Sequence, residues 1–258
     1  MDIVFLGATR FSESILRSLL EHQHSVRMIF TMPEQFNISY SQTPVKNYQY
    51  CDLGRLADAH GIPCYRIHSE QNKRLDDYYG QIKAISPTVI LVMGWYYMVP
   101  KRIRELATHG AWGIHASLLP DYAGGAPLVW AMIHGEERTG VTLFRLDNGV
   151  DDGDIIAQRS FVIGPKDTIR GVYAKATRAS KSILLNALSD MNAVTYSPQD
   201  KSRIKRYPQR KPEDGEIDLS RPAEDLYNFI RAQSSPYPGA FVRTTDGKKL
   251  VIEKARIE

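Results

Sequence analysis

The chain opens on four apolar residues in a row, Ile3-Val4-Phe5-Leu6. No polar residue interrupts them, so a strand here has to be covered on both faces. That is the condition of a parallel sheet sandwiched between helices. The next residues supply a first covering helix. Gly7-Ala8-Thr9-Arg10-Phe11 turns the chain, Ser12 is placed to cap a helix, and Ile15, Leu16, Leu19 and Leu20 share one face of it. Ahead of the strand there is neither a basic run nor a small-residue cleavage site, so the start reads as a β-α unit and not a signal peptide.

The unit recurs. Residues 26–30 read as a second strand, 33–50 as a polar loop, and Leu53, Leu56, Ala57 and Ala59 as a helix closed by Gly61. Residues 75–85 read as helical and 89–93 as another buried strand. Strands alternating with helices predict an α/β fold: a Rossmann-like, mostly parallel twisted sheet with helices on both faces. Ligands of such sheets sit beyond the carboxyl ends of the strands. Composition agrees. A hydrophobic share of 43% excludes a disordered chain. No apolar run approaches the roughly 18 residues of a membrane helix, so no membrane contact is expected. Cys51 and Cys64 are too few for a disulfide framework and lack a metal-like pattern; they read as packing residues of a cytoplasmic protein.

The first turn argues against a dinucleotide. Residues 7–12 hold a single glycine, and the chain contains neither the Rossmann fingerprint nor a P-loop pattern. The glycines that let a backbone approach a pyrophosphate are therefore missing. Arg10 keeps two readings, a phosphate or carboxylate contact to a substrate and a solvated surface group.

The middle third carries more. Gly94-Trp95-Tyr96-Tyr97-Met98-Val99-Pro100 directly follows a buried strand. Adjacent aromatics at a strand's carboxyl end either fold back into the core or wall a flat heteroaromatic ligand. His115 follows a short strand within Gly113-Ile114-His115-Ala116-Ser117-Leu118-Leu119-Pro120, and Gly124-Gly125-Ala126-Pro127 starts a helix over residues 127–134. Residues 139–143 read as a strand leading into an acidic, glycine-bearing loop at 147–154. That loop lacks the spacing and closing glutamate of an EF-hand, so no metal is expected.

Taken together, these segments resemble the formyltransferases that use 10-formyltetrahydrofolate. The likeness covers most of residues 1–160 and resumes near residue 207. Its specific parts are HASLLP at 115–120, GGAPLVWAMIHGE at 124–136, TGVTL at 139–143 and GVDDGDII at 149–156. The resemblance implies that an amine attacks the formyl carbonyl and that a tetrahedral intermediate collapses to a formamide. Such chemistry needs a neutral amine, a donor for the oxyanion and a route for protons to the leaving folate nitrogen.

In the family an asparagine, a histidine and an aspartate meet these needs. His115 matches the histidine and Asp151 the aspartate. Asp151 is then expected to orient and charge His115, which serves as acid/base and oxyanion donor. The resemblance also implies that residues 94–100 wrap the pterin. Trp95 and Met98 would line the pocket, backbone near Tyr97 and Val99 would bond the pterin edge, and Asp147, Asn148 and Val150 would supply the opposite edge. One position departs from the pattern, because the family's asparagine, two residues before the histidine, is Gly113 here. Losing an oxyanion donor costs about 10²–10³ in rate. A water held in the vacated space, His115 acting alone, or a non-catalytic relative that binds folate or sugar nucleotide would each account for it. The intact remainder favours an active enzyme.

The C-terminal third bears on the acceptor. Residues 168–192 read as a long amphipathic helix, with Ile169, Val172, Tyr173, Ala176, Ile183, Ala187 and Met191 at mostly three- and four-residue steps. Residues 201–211 then hold six basic residues and no acidic one, either a solvated linker or a phosphate-facing strip that includes Arg210. The chain's net charge is +4, so these six leave the remainder at −2, which weakens a nucleic-acid partner. A helix with Leu226, Phe229 and Ile230 on one face follows, then two short strands around Thr245-Asp246-Gly247. Tyr237 either stacks on a base or packs in the hairpin.

The expected division is a catalytic domain at 1–195, a basic linker at 196–211 and a small C-terminal helix-and-hairpin subdomain at 212–258. PEDGEID at 212–218 and PYPGAF at 236–241 resemble formyltransferases acting on nucleotide-linked 4-amino sugars, and tRNA-acting members less specifically. The length leaves no expected room for a full RNA-binding domain. The expected acceptor is thus the amine of a nucleotide-linked amino sugar, as used in lipopolysaccharide O-antigen, with methionyl-tRNA as the alternative. Relatives of this kind pair through C-terminal hairpins, so a homodimer is among the expected forms.

Overall fold

The computed structural model describes residues 1–37, 44–47, 49–68 and 73–258. The first unit is β1 (Asp2–Leu6), α1 (Arg10–Glu21) and β2 (Ser25–Thr31). A two-residue pair, β3 (Gln35–Phe36) and β4 (Val45–Lys46), interrupts the expected loop, whose residues 38–43 and 48 lie outside those described. Then come α2 (Gly54–Ala59), β5 (Cys64–Arg66), α3 (Tyr79–Ile85), β6 (Val89–Val92), α4 (Lys101–Arg104) and β7 (Ala111–His115). The second half holds β8 (Ala123–Gly124), α5 (Pro127–Ile133), β9 (Arg138–Arg145), β10 (Ile155–Val162) and α6 (Ile169–Ser189). The C-terminal part is β11 (Arg206–Tyr207), α7 (Ala223–Ala232), β12 (Ala240–Arg243) and β13 (Lys249–Ile252).

Seven strands form one sheet in the order β10-β9-β7-β6-β1-β2-β5. The ladders from β7 to β5 are parallel, while β9 and β10 join antiparallel at the other edge. The expected α/β sheet is thus observed, and β1 explains why it must be covered twice. Ile3 and Phe5 enter the core under α1, α5 and α6, whereas Val4 and Leu6 enter a second core under α3 and α4. Strand β10 had no apolar run to announce it. As an edge strand it carries only half-buried and exposed residues.

Two local expectations change. Thr9, not Ser12, caps α1: Thr9 Oγ1 accepts from Ser12 N at 3.1 Å, and Ser12 Oγ accepts from Thr9 N at 3.0 Å. This is a reciprocal capping box with serine at its third position. Ser12 Oγ also donates to the Met93 carbonyl, tying the turn after β1 to the turn after β6. The approach is so close that a Cβ on Gly94, whose φ is +65°, would lie 2.3 Å from Thr9 Oγ1. Glycine at this junction serves contact between two turns. The long helix also ends at Ser189, because the Asp190 carboxylate accepts from Asn192 N and Ala193 N and starts a separate 3₁₀ turn.

The cysteines behave as packing residues. Burial, reinforced at Cys51 by a hydrogen bond to Glu13, pushes the Cys51 thiol up to about 12, and burial takes Cys64 to about 11. Among the described residues no helix is long and apolar enough to cross a membrane.

Candidate active site

His115 closes β7 opposite Thr142 of β9 and is 8% exposed. Its Nε2 lies 2.8 Å from the Tyr122 carbonyl oxygen. A carbonyl only accepts, so Nε2 carries a hydrogen and Nδ1 is the nitrogen left to act. Nδ1 faces Asp151 Oδ2 at 3.5 Å, an ion-pair distance and longer than a good hydrogen bond. The same oxygen accepts from Gly124 N at 2.9 Å. Asp151 thus meets His115 as expected, but the ring is oriented chiefly by a backbone carbonyl. Asp151 itself has a φ of +56°, in the left-handed region that aspartate tolerates better than most residues.

Buried hydroxyls and an amide hold the turn after His115. Thr142 Oγ1 donates to the Ser117 carbonyl at 2.7 Å and accepts from Leu119 N at 3.0 Å. Gln158 Nε2 donates to Leu119 O at 2.8 Å and Thr142 Oγ1 at 2.9 Å, and Ser117 Oγ donates to Asp121 O at 2.5 Å. Proline begins α5, as its fixed φ favours.

A side chain at position 113 would have to displace the end of Leu146 and crowd Phe144. A Cβ there would sit 2.8 Å from Leu146 Cδ1 and 3.2 Å from Phe144 Cε1. Apolar atoms fill the place a side chain would enter, which counts against a water held there as the substitute donor.

Residues 94–100 pack most of their side chains back against the core. Trp95 and Tyr97 meet edge to face with ring centroids 5.9 Å apart, Tyr97 also abuts Phe36, and Val99 is buried in the second core. Among the described residues Trp95 Nε1 is buried without a partner, while Met98 is 60% exposed. Asp147 and Asn148 are exposed and Val150 is 49% exposed.

The loop after β9 is tied down by a residue that sequence reasoning missed. The buried Arg104 of α4 donates from Nη1 to Leu146 O at 3.0 Å and from Nη2 to Asn148 Oδ1 at 2.7 Å. A cavity of about 460 Å³ opens beside them, lined in part by Arg104, His109, Arg145, Asn148 and Tyr196. Nothing in a Lys-Arg-Ile-Arg run sets Arg104 apart from its exposed neighbours.

The expected acceptor contacts separate. Arg10 begins α1 at the carboxyl end of β1, exposed, and its guanidinium makes no hydrogen bond or ion pair among the described residues. Arg210 is engaged inside the chain: it donates to Asp214 O at 2.5 Å and Gln233 Oε1 at 2.8 Å and lies 4.8 Å over the Trp130 ring. Tyr237 takes the packing alternative. Its hydroxyl bonds that of Tyr173 on α6, and burial pushes both phenols up.

The basic stretch is not free either. Strand β11 pairs in parallel with β8, Tyr207 stacks on Tyr122 at 4.9 Å, and Trp130 Nε1 donates to Pro208 O at 2.9 Å.

A histidine with one nitrogen fixed by a carbonyl and the other facing a carboxylate, set at the carboxyl end of a parallel sheet, is an arrangement able to carry acid–base chemistry. Residues 1–188 match the Formyl transferase family and residues 210–258 match the Formyl transferase C-terminal domain, so the chain belongs to that family of folate-dependent formyltransferases. It is 32% identical over 261 residues to methionyl-tRNA formyltransferase from Koribacter versatilis (strain Ellin345), across 99% of this chain and 80% of that one. Its fold is similar to a sugar N-formyltransferase from Shewanella sp FDAARGOS_354, with TM-score 0.73 and 14% identity over 100% of this chain and 99% of that one. It is also similar to WlaRD, a sugar 3N-formyl transferase solved in the presence of dTDP and 5-N-formyl-THF, with TM-score 0.65 and 20% identity over 90% of this chain and 78% of that one.

Proposed function

We propose that this formyltransferase acts on the amine of a nucleotide-linked amino sugar. The observation that carries the reading is the short cationic strip hydrogen-bonded beside the catalytic loop through β8 and β11. Lys201 pairs with Asp152 and Arg210 is taken up inside the chain, so Arg203, Lys205, Arg206 and Lys211 are the strip's remaining exposed cations. With the rest of the chain at net −2, that strip suits a diphosphate better than the long phosphate track of an RNA. Arg10 offers a further unpaired cation at the same end of the sheet.

The residues also fit a bound folate, which supplies the formyl group. The wall at 94–100 is aromatic, and Trp95 Nε1 is a buried donor in need of an acceptor. The loop at 147–151 forms the opposite edge. In this reading His115 Nδ1 takes the proton that the acceptor amine sheds, and Asp151 stabilises the imidazolium so formed. The Tyr122 carbonyl keeps the ring in place meanwhile.

The identity to methionyl-tRNA formyltransferases favours a second reading, with aminoacylated tRNA as acceptor. Thermal shifts with dTDP-, UDP- and GDP-linked amino sugars and a folate analogue separate the two, followed by a formylation assay. Stabilisation and turnover with one sugar nucleotide are expected. Stabilisation by tRNA and by no sugar nucleotide would overturn the proposal.

A further inference from the structure

Residues 189–209 fall between the two family matches, yet they reach the catalytic loop repeatedly. Ser197 and Ile155 exchange both backbone hydrogen bonds at 2.8 Å. Lys201 Nζ lies 3.5 Å from Asp152 Oδ2, and Arg206 Nη2 lies 3.5 Å from Val150 O. Between these contacts stands Gln199, 8% exposed. Its Nε2 donates to Asp151 O at 3.0 Å and to Gly153 O at 2.7 Å.

Both partners are carbonyls, which only accept, so the amide nitrogen has to be the end that faces them. The other end, Oε1, is buried with no partner among the described residues. All the hydrogen bonding of this buried side chain is therefore directed at one turn, the one that carries Asp151. That turn is demanding. Asp151 is left-handed, with a φ of +56°, and a Cβ on Gly153 would lie 1.7 Å from Arg145 O. A left-handed residue other than glycine persists where its surroundings hold it.

We propose that Gln199 is a positioning residue for the His115–Asp151 pair. By clamping the carbonyls on either side of Asp152, its amide fixes the turn that presents the Asp151 carboxylate to Gly124 N and His115 Nδ1. The catalytic geometry then depends on the segment that links the two parts of the chain. This rests on the formyl-transfer reading, so its test includes a measurement that needs no substrate.

The test compares the full chain with Gln199→Met and Gln199→Glu. Methionine keeps the volume and removes the donor. Displacing a reacting group by about 1 Å costs about 10²-fold. For Gln199→Met, kcat should fall about 10–100-fold, with both KM values within about twofold of wild type. Exchange of the Gly124 amide, which the Asp151 carboxylate protects, should accelerate.

Glutamate keeps the shape, but its ionised form cannot donate, and its protonated form regains one donor. The ratio of Gln199→Glu kcat to wild type should therefore rise as pH falls, which a purely structural role would not produce. Unchanged kcat and Gly124 protection in Gln199→Met would overturn the proposal, as would a flat pH ratio in Gln199→Glu. Should Gln199→Met not fold, the Gln199→Glu ratio and its Gly124 exchange decide. Should wild type formylate no acceptor, the function reading fails, and Gly124 exchange alone decides the positioning claim.

Discussion

Residues 94–100 and residues 147–151 are held in different ways. Residues 94–100 are anchored by burial: Trp95, Tyr96 and Tyr97 pack around Ala8, Met32 and Phe36, and Val99 enters the second core. Residues 147–151 expose most of their side chains and are held by hydrogen bonds from far along the chain. Arg104 reaches Asn148 from 44 residues away, Gly124 reaches Asp151 across 27, and Gln199 reaches it across 48. A segment held by packing shares its load over many contacts. A segment held by a few buried donors loses about 1–3 kcal/mol whenever one removal leaves a group unpaired.

Substitutions can break or sharpen that contrast. The largest effect is expected at the group the second segment serves. His115→Ala should lower kcat by about 10³-fold or more in a folate-dependent formylation assay, and a near-normal rate would refute its role. Asp151→Asn keeps an oxygen for Gly124 N but removes the charge, so a loss of about 10²-fold is expected, read in kcat against pH.

Gly113→Asn comes next. Its side chain meets Leu146 and Phe144, so a loss of about 1–3 kcal/mol in chemical denaturation is expected, with no gain in rate. A second substitution, Leu146→Ala, should open that space, and only the pair can test whether an asparagine there donates usefully. Arg104→Ala should raise the KM for folate about tenfold and lower Tm, because Asn148 and the Leu146 carbonyl lose their donor. Trp95→Phe on the packed segment should change stability least, by about 1 kcal/mol or less, since its indole N–H has no partner to lose. A rise in folate Kd with unchanged Tm would identify that N–H as a ligand donor.

How far each segment could be read from the sequence follows the same division. The adjacent aromatics after a buried strand were visible as a unit, and their packing is local. His115 and Asp151 were reached through the resemblance and do meet. Arg104, Gln158 and Gln199 carried no signal, because a buried hydrogen-bonding side chain looks like an exposed one until the fold supplies its partner. The same reason separates Arg210 and Tyr237 from Arg10. All were candidate substrate contacts, but Trp130, Gln233 and Tyr173 claim the first two.

Charge gives a parallel case. The six basic residues of 201–211 were legible as a strip, yet not that β11 pairs with β8 and brings the strip beside the loop that carries Asp151.

What the sequence determined by itself was the layered α/β sheet, because an uninterrupted apolar strand such as Ile3–Leu6 can be satisfied only by cover on both faces. Periodicity and turn residues also located most helices and strands, since those signals act over a few residues. Only the tertiary structure decided which nitrogen of His115 is left to act, what a side chain at position 113 would have to displace, and which distant residues hold Asp151 in a left-handed turn. Those outcomes are set by buried groups tens of residues apart meeting one another, where each hydrogen bond is directional and each unpaired group is costly.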